Sequence, residues 1–201
     1  MILLVDADSL IFASCYKKRE TPEDGKYYTE LSDCRNKFRR QYMEIVNHLE
    51  NIYNIDKVIT FSGSLGNFRK LITPVYKANR STEQLSTEFG RNEVMIVSID
   101  KDYKQFPCLM YNYHYKHKEV LDISEDEALY NFYEQMIAGD TADNVNYFKG
   151  KGKKFAEKYF QDCHSEYSYT KKLYQLFKEK YKSKAKEKYS ECYNLLKLRT
   201  D

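Results

Sequence analysis

Val94-Met95-Ile96-Val97-Ser98-Ile99-Asp100-Lys101-Asp102 is an apolar run that stops at two acids. A short run of this kind, rich in β-branched residues, reads as a strand buried on both faces of a sheet. Ile2-Leu3-Leu4-Val5 repeats the pattern and ends in Asp6. Lys57-Val58-Ile59-Thr60-Phe61 repeats it again and ends at Ser62-Gly63, and Cys108 to Tyr113 reads as a fourth strand. From Leu31 to Ile52 the residues Leu31, Phe38, Tyr42, Ile45, Leu49 and Ile52 recur at helical spacing. They predict an amphipathic helix lying on the sheet. Strands that alternate with helices predict an α/β domain with a mostly parallel sheet. Ligands of such sheets bind outside the carboxyl ends of the strands, where Asp6, Asp100 and Asp102 stand. In extended chain, Asp100 and Asp102 project to the same side.

A second stretch brings more acid. Ser124, with Glu127 three residues on, is a capping box, and Leu129, Phe132, Met136 and Ile137 give the helix that follows a buried face. Gly139 can end that helix, and Asp140 and Asp143 then follow in Gly139-Asp140-Thr141-Ala142-Asp143-Asn144-Val145. Five aspartates brought to one crevice would repel one another and need cations to stay ionised. Two divalent ions can activate a water and neutralise a scissile phosphate without a protein base. Lys149-Gly150-Lys151-Gly152-Lys153-Lys154 comes next, and a helix starting near Phe155. A glycine turn at a helix start exposes N–H groups that suit a phosphate. Helix, Gly-x-Gly turn, helix is the pattern of a helix-hairpin-helix. The tail from Tyr167 to Leu198 predicts one or two helices with Leu173, Leu176, Phe177, Leu195 and Leu196 inward.

The totals fit that picture. The 201 residues suffice for one sizeable α/β domain, or one with a small appendage, and 42% hydrophobic with 31% charged is a globular composition. The net charge of +3 hides an asymmetry: from Lys149 onward there are 15 Lys+Arg against 7 Asp+Glu, leaving 18 against 23 in the rest. An acidic front and a basic back suit a metal centre joined to a polyanion-binding surface. The 5 cysteines are widely spaced with no Cys-x-x-Cys, which argues against a disulfide framework or zinc site. The apolar run at Met1–Val5 is too short for a signal peptide and no stretch is long enough to span a membrane. The expected location is cytoplasmic, the host cytoplasm if the source is viral. Tyr76-Lys77-Ala78-Asn79-Arg80 adds cations that could clamp a phosphate and a ring that could stack on a terminal base. His114 and His117 read as surface residues.

Asp6 after its strand, Asn67-Phe68-Arg69-Lys70 with Tyr76 to Arg80, Ser98 to Tyr103, and Gly139 to Asn144 occur in an order that resembles the 5′→3′ exonuclease and flap endonuclease family, particularly the stand-alone phage exonucleases. The resemblance covers most of Met1 to Phe160. It implies a PIN-like α/β nuclease core over residues 1–123. Residues 124–201 would supply a helix-hairpin-helix and a helical C-terminal tail. It also implies two Mg²⁺ or Mn²⁺ ions and a monomer acting on DNA with a free 5′ end, in a duplex, nick or flap, or on an RNA–DNA hybrid. By position, Asp6 resembles a first-metal ligand and Asp100 a shared one. Asp102, Asp140 and Asp143 resemble the second-metal set. Lys77 and Arg80 look like the phosphate-steering pair. Gly150 and Gly152, with Lys151, Lys153 and Lys154, look like the hairpin that holds the uncleaved strand, in some relatives with a K⁺ ion.

Two departures stand out. Ser62-Gly63 occupies the place of an aspartate usual in the family. Only Ser81 to Glu93 fills the gap where the family carries a helical arch and an acidic cluster; Glu83, Glu88 and Glu93 do not form that cluster. The first metal set is depleted. That points to a shortened relative, weakened or inactive, or to an internal deletion. A DNA-binding module that does not cleave is therefore one rival. The other is a haloacid dehalogenase-type phosphatase using Asp6-Ala7-Asp8-Ser9 and Ser62. That fold requires a strand immediately before Gly139.

Overall fold

The computed structural model describes residues 1–15, 31–62, 93–141 and 143–198. These fall into two compact units, one holding 1–15, 31–62, 93–101 and 108–122, the other 102–107, 123–141 and 143–198. Among the described residues no helix is long and apolar enough to cross a membrane.

The first unit is built on a five-stranded sheet. Its strands are β1 (Ile2–Asp6), β2 (Lys57–Phe61), β3 (Val94–Val97), β4 (Cys108–Asn112) and β5 (Glu119–Ile123), in the spatial order β2-β1-β3-β4-β5. β1 runs parallel to both β2 and β3, with Leu4 opposite Ile59 on one side and Ile96 on the other, and β3 runs parallel to β4. Leu3, Leu4, Val5, Met95, Ile96 and Val97 are all 0% exposed, which is why these strands read as continuous apolar runs rather than alternating ones. Leu3, Val5, Met95 and Val97 share a core with Leu10 of α1 (Ala7–Cys15) and Leu49 of α2 (Leu31–Glu50). Phe38, Tyr42 and Ile45 pack against that core.

The mostly parallel sheet flanked by helices and the helical C-terminal tail are as the sequence predicts. The details correct it in four places. α1 and β5 were not anticipated. Leu31 and Ile52 are 66% and 57% exposed; Leu31 is the first residue of α2, Ile52 lies beyond its end, and Cys34 and Val46 take the buried stripe instead. β3 stops at Val97, not Ile99. Asp102 is not in extended chain but in a 3-10 helix, Lys101–Gln105, so the same-side projection expected of Asp100 and Asp102 does not hold. The cause is Ser98, whose Oγ accepts the Asp100 N–H at 3.0 Å and turns the backbone out of the strand.

The second unit is helical. α3 (Glu125–Ala138) opens with the anticipated capping box: Glu127 N–H donates to Ser124 Oγ at 3.2 Å and Ser124 N–H to Glu127 Oε2 at 2.8 Å. α4 (Lys153–Tyr159), α5 (Glu166–Tyr181) and α6 (Ala185–Leu196) follow. Their common core is aromatic. Phe148 meets Phe177 edge-on at 4.7 Å and Tyr133 stacks on Tyr169 at 5.2 Å. Leu173, Leu176, Phe177, Leu195 and Leu196 are all buried as expected.

Candidate metal centre

The site in the helical unit begins with a residue that only glycine can be. Gly139 has φ +76°, in the left-handed region, and a Cβ there would stand 2.3 Å from the Val145 carbonyl oxygen. It ends α3 and lets the chain double back. Asp140 and Val145 then exchange both backbone hydrogen bonds, each at 2.7 Å, and Asn144 takes the turn at φ +57°. The closed loop fixes Asp140 and Asp143. Asp102 comes from the 3-10 helix, which Asn131 of α3 anchors through a bond from Nδ2 to Lys104 O at 3.0 Å. One carboxylate oxygen from each of Asp102, Asp140 and Asp143 lies within 4.8 Å of the other two. Asp102 and Asp140 are buried and Asp143 is half-buried.

Burying carboxylates together is costly unless something offsets the charge. One offset is visible: the Gln135 side chain of α3 donates from Nε2 to Asp102 Oδ1 at 2.8 Å and to Asp140 Oδ2 at 3.1 Å. A divalent cation would add another. Three carboxylates at this spacing are an all-oxygen set, which fits a hard ion such as Mg²⁺ or Mn²⁺ better than a thiophilic one.

Asp6 and Asp100 belong to the sheet unit. Asp6 is 5% exposed at the end of β1. Its Oδ1 accepts the Asp8 N–H at 3.1 Å, an N-cap bond that starts α1, and its Oδ2 accepts the Ser98 hydroxyl at 3.0 Å. Ser98 thus ties the ends of two strands, and its Oγ also receives the Asp100 N–H. Tyr113, just past β4, buries a hydroxyl that has no hydrogen-bond partner among the described residues. Burial first, and the Asp6 carboxylate next, push that hydroxyl well above the usual tyrosine range, while the Ser9 side chain pulls the other way. Ser62, where the resemblance implies an aspartate, is exposed after β2.

The lysine segment leads into α4. Gly150 needs its glycine for a φ of +83°, whereas Gly152 is extended and a Cβ there would meet nothing within 4 Å. Lys153 and Lys154 occupy the first turn of α4, which holds no acid, although the helix dipole disfavours cations there. Lys153 Nζ pairs with Glu134 Oε1 at 3.0 Å, and Lys151 Nζ sits 3.7 Å over the Phe155 ring. Lys154 makes no ion pair among the described residues. Tyr76, Lys77 and Arg80 lie outside the described residues, as does most of the Ser81–Glu93 connection.

The structure therefore gathers Asp102, Asp140 and Asp143 within one unit and places Asp6 and Asp100 in the other. Sequence reading missed Gln135, Ser98 and Tyr113. Gln135 left a trace: a lone amide on the same stripe as Phe132 and Met136 is a polar group on a buried face. The segment before Gly139 is helix α3, not a strand, which removes the phosphatase reading.

No protein-family model and no curated protein matches this sequence. Solved structures do. A mutant of the T5 5′-exonuclease superposes with a TM-score of 0.57 at 12% identity, covering 96% of this chain and 86% of that one. The bacteriophage T5 flap endonuclease, in a pseudo-enzyme–product complex with DNA and metal ions, gives 0.62 at 12% identity, with 96% and 88% covered. A T5 protein co-crystallized with metal ions gives 0.59 at the same identity and coverage. The chain has the fold of the T5 5′-exonuclease and flap endonuclease.

Proposed function

We propose that this protein is a metal-dependent 5′→3′ exonuclease or structure-specific 5′ nuclease that hydrolyses DNA phosphodiester bonds in replication, repair or degradation. The observation that carries the reading is the Asp102–Asp140–Asp143 group, with ligand oxygens within 4.8 Å of one another, in a chain of this fold. When bound, divalent cations would activate water and neutralise the scissile phosphate. Asp102, Asp140 and Asp143 would hold the second ion, Asp6 a first and Asp100 both, with Mg²⁺ or Mn²⁺ as the ions. Lys77 and Arg80 would steer the phosphate and Tyr76 would stack on the terminal base. Gly150 to Lys154 would hold the uncleaved strand as a helix-hairpin-helix, with K⁺ as a candidate ligand. The cations at the first turn of α4 are unfavourable for the helix and favourable for a polyanion, which supports that assignment. Residues 1–123 would form the nuclease core and 124–201 the DNA-binding region, in a soluble monomer.

The test is cleavage of 5′-labelled duplex and flap DNA with Mg²⁺ or Mn²⁺, against EDTA and Asp143→Ala. Metal-dependent release of short 5′ products, reduced at least ~100-fold in the variant by loss of a metal ligand, is expected. Salt-sensitive DNA binding without release would replace the enzyme with a binding module, the reading favoured by Ser62 and the short Ser81–Glu93 connection.

A further inference from the structure

We infer that Gln135 and Gln105 form a buried relay that positions the Asp102 and Asp140 carboxylates for a cation and couples cation binding to docking of the C-terminal end of α6. The inference rests on reading that acidic group as a cation site. Both glutamines are buried, at 8% and 6% exposed. Gln135 Nε2 spends its two hydrogens on Asp102 and Asp140. Its Oε1 accepts from Gln105 Nε2 at 2.6 Å. The second Gln105 hydrogen goes to Leu196 O at 2.9 Å, and Gln105 Oε1 accepts the Leu198 N–H at 3.3 Å. An uninterrupted line of hydrogen bonds joins two carboxylates to the terminal backbone of α6.

The direction of every bond in that line is fixed by its charged end. An amide flip at Gln135 would turn its oxygen onto two carboxylates, so Nε2 must face them. Oε1 of Gln135 then needs a donor, which sets the orientation of Gln105. That orientation is the one that accepts the Leu198 N–H and serves Leu196 O, one of the carbonyls a helix end leaves unpaired. No member can reverse without leaving a buried polar group unsatisfied. Asn131 and Gln135, four apart on α3, face the same way and clamp the 3-10 helix that carries Asp102 and ends at Gln105. The tail is thus part of the framework of the site. By linkage, whatever tail docking does for cation affinity, the cation does for tail docking.

The test uses the full chain and Mn²⁺ titrated calorimetrically into the wild type, Gln135→Met and Gln105→Met, with hydrogen exchange of the Lys197 and Leu198 amides followed with and without Mn²⁺. Met keeps the length and removes the donors. Loss of a ligand-orienting partner weakens metal binding by roughly 10–100-fold, so that is expected for Gln135→Met. A smaller loss, about 3–10-fold, is expected for Gln105→Met, which touches no carboxylate. In the wild type Mn²⁺ should slow exchange at Leu198; in either variant that slowing should vanish. Wild-type Mn²⁺ binding with affinities within twofold in both variants, or with Leu198 exchange indifferent to Mn²⁺, overturns the relay. If Gln135→Met fails to fold, Gln105→Met and the wild-type exchange decide. A wild-type chain that binds no Mn²⁺ overturns the cation site itself, and the relay with it.

Discussion

The two units hold their acids in different ways. In the sheet unit Asp6 ends β1 and Asp100 lies just past β3, and groups at those strand ends fix them: the Asp8 N–H and, from 92 residues away in sequence, the Ser98 hydroxyl on Asp6, and the Ser98 turn at Asp100. In the helical unit Asp102, Asp140 and Asp143 lie off the regular elements or in a single 3-10 turn. The Gln135 side chain bridges Asp102 and Asp140, and the loop closed by the Asp140–Val145 backbone bonds holds Asp140 and Asp143. The cores differ too. The sheet unit packs aliphatic strands around Leu3, Val5 and Met95; the helical unit packs rings, with Phe132, Tyr133, Phe148, Phe160 and Phe177 at its centre. A strand end can be located from a dozen residues of sequence, whereas a centre braced by long-range amides can be located only once the helices have packed.

The strongest way to break this comparison is to empty one core and watch the other. Phe177 is 0% exposed and touches Phe148, Tyr147, Tyr181 and Tyr189. Phe177→Ala should cost about 3–5 kcal/mol. Native-state hydrogen exchange should show the loss in the amides of α3 and α5, with those of β1 and β3 unchanged. Equal loss in both sets would mean that the chain opens as one cooperative block and that the division has no energetic meaning.

A finer cut is Gly139→Ala. The left-handed φ alone costs an alanine about 1–2 kcal/mol, and the clash with Val145 O adds about 1–3 more. The expected loss is about 2–5 kcal/mol, read from denaturant unfolding of the helical unit. Exchange at the Asp140 and Val145 amides should accelerate first. Protection at those two amides equal to that of the wild type would show that the loop does not depend on its glycine.

These sites also show where sequence reading worked. Gly139 was legible as a helix end because Ser124 and Glu127 fixed the start of α3 and the apolar spacing fixed its phase. The five inward positions of the tail were legible from apolar residues in a polar, lysine-rich stretch, without a cap to fix where its helices begin. Asp6 was legible as a strand-end acid but not as the N-cap of α1, because α1 starts at the very next residue and leaves no loop to mark a cap. β5 escaped because Glu119-Val120-Leu121-Asp122-Ile123 alternates poorly and carries two acids. The bend at Ser98 escaped because a serine in an apolar run looks like strand until its hydroxyl is seen capping Asp100. Gln135 escaped because its partners come from residues 30 or more away in sequence or from beyond the end of α3, which no spacing rule reaches.

The gentlest perturbation changes only the proton count. Burial raises the hydroxyls of Tyr133, Tyr147, Tyr159, Tyr169, Tyr189 and Tyr193 above the ordinary tyrosine value. Tyr130 is pushed up to about 12, by burial first and then by Glu134. All seven belong to the helical unit; in the sheet unit only Tyr111 and Tyr113, among the described residues, are raised in the same way. Stability changes with pH as the protons bound by the unfolded chain minus those bound by the native one. Above about pH 10 unfolded tyrosines release protons that the native ones keep, so the difference is negative and stability falls. The stabilisation is whole below that pH and is lost as pH climbs toward the native values. The helical unit carries more of these groups and should therefore melt first in alkali, its tyrosine ring resonances shifting late and together while those of the sheet unit's Val94–Val97 remain native. Independent titration of the helical-unit tyrosines near their ordinary value would mean that the aromatic core is open to water, and the contrast between a ring-packed unit and an aliphatic one would lose its basis.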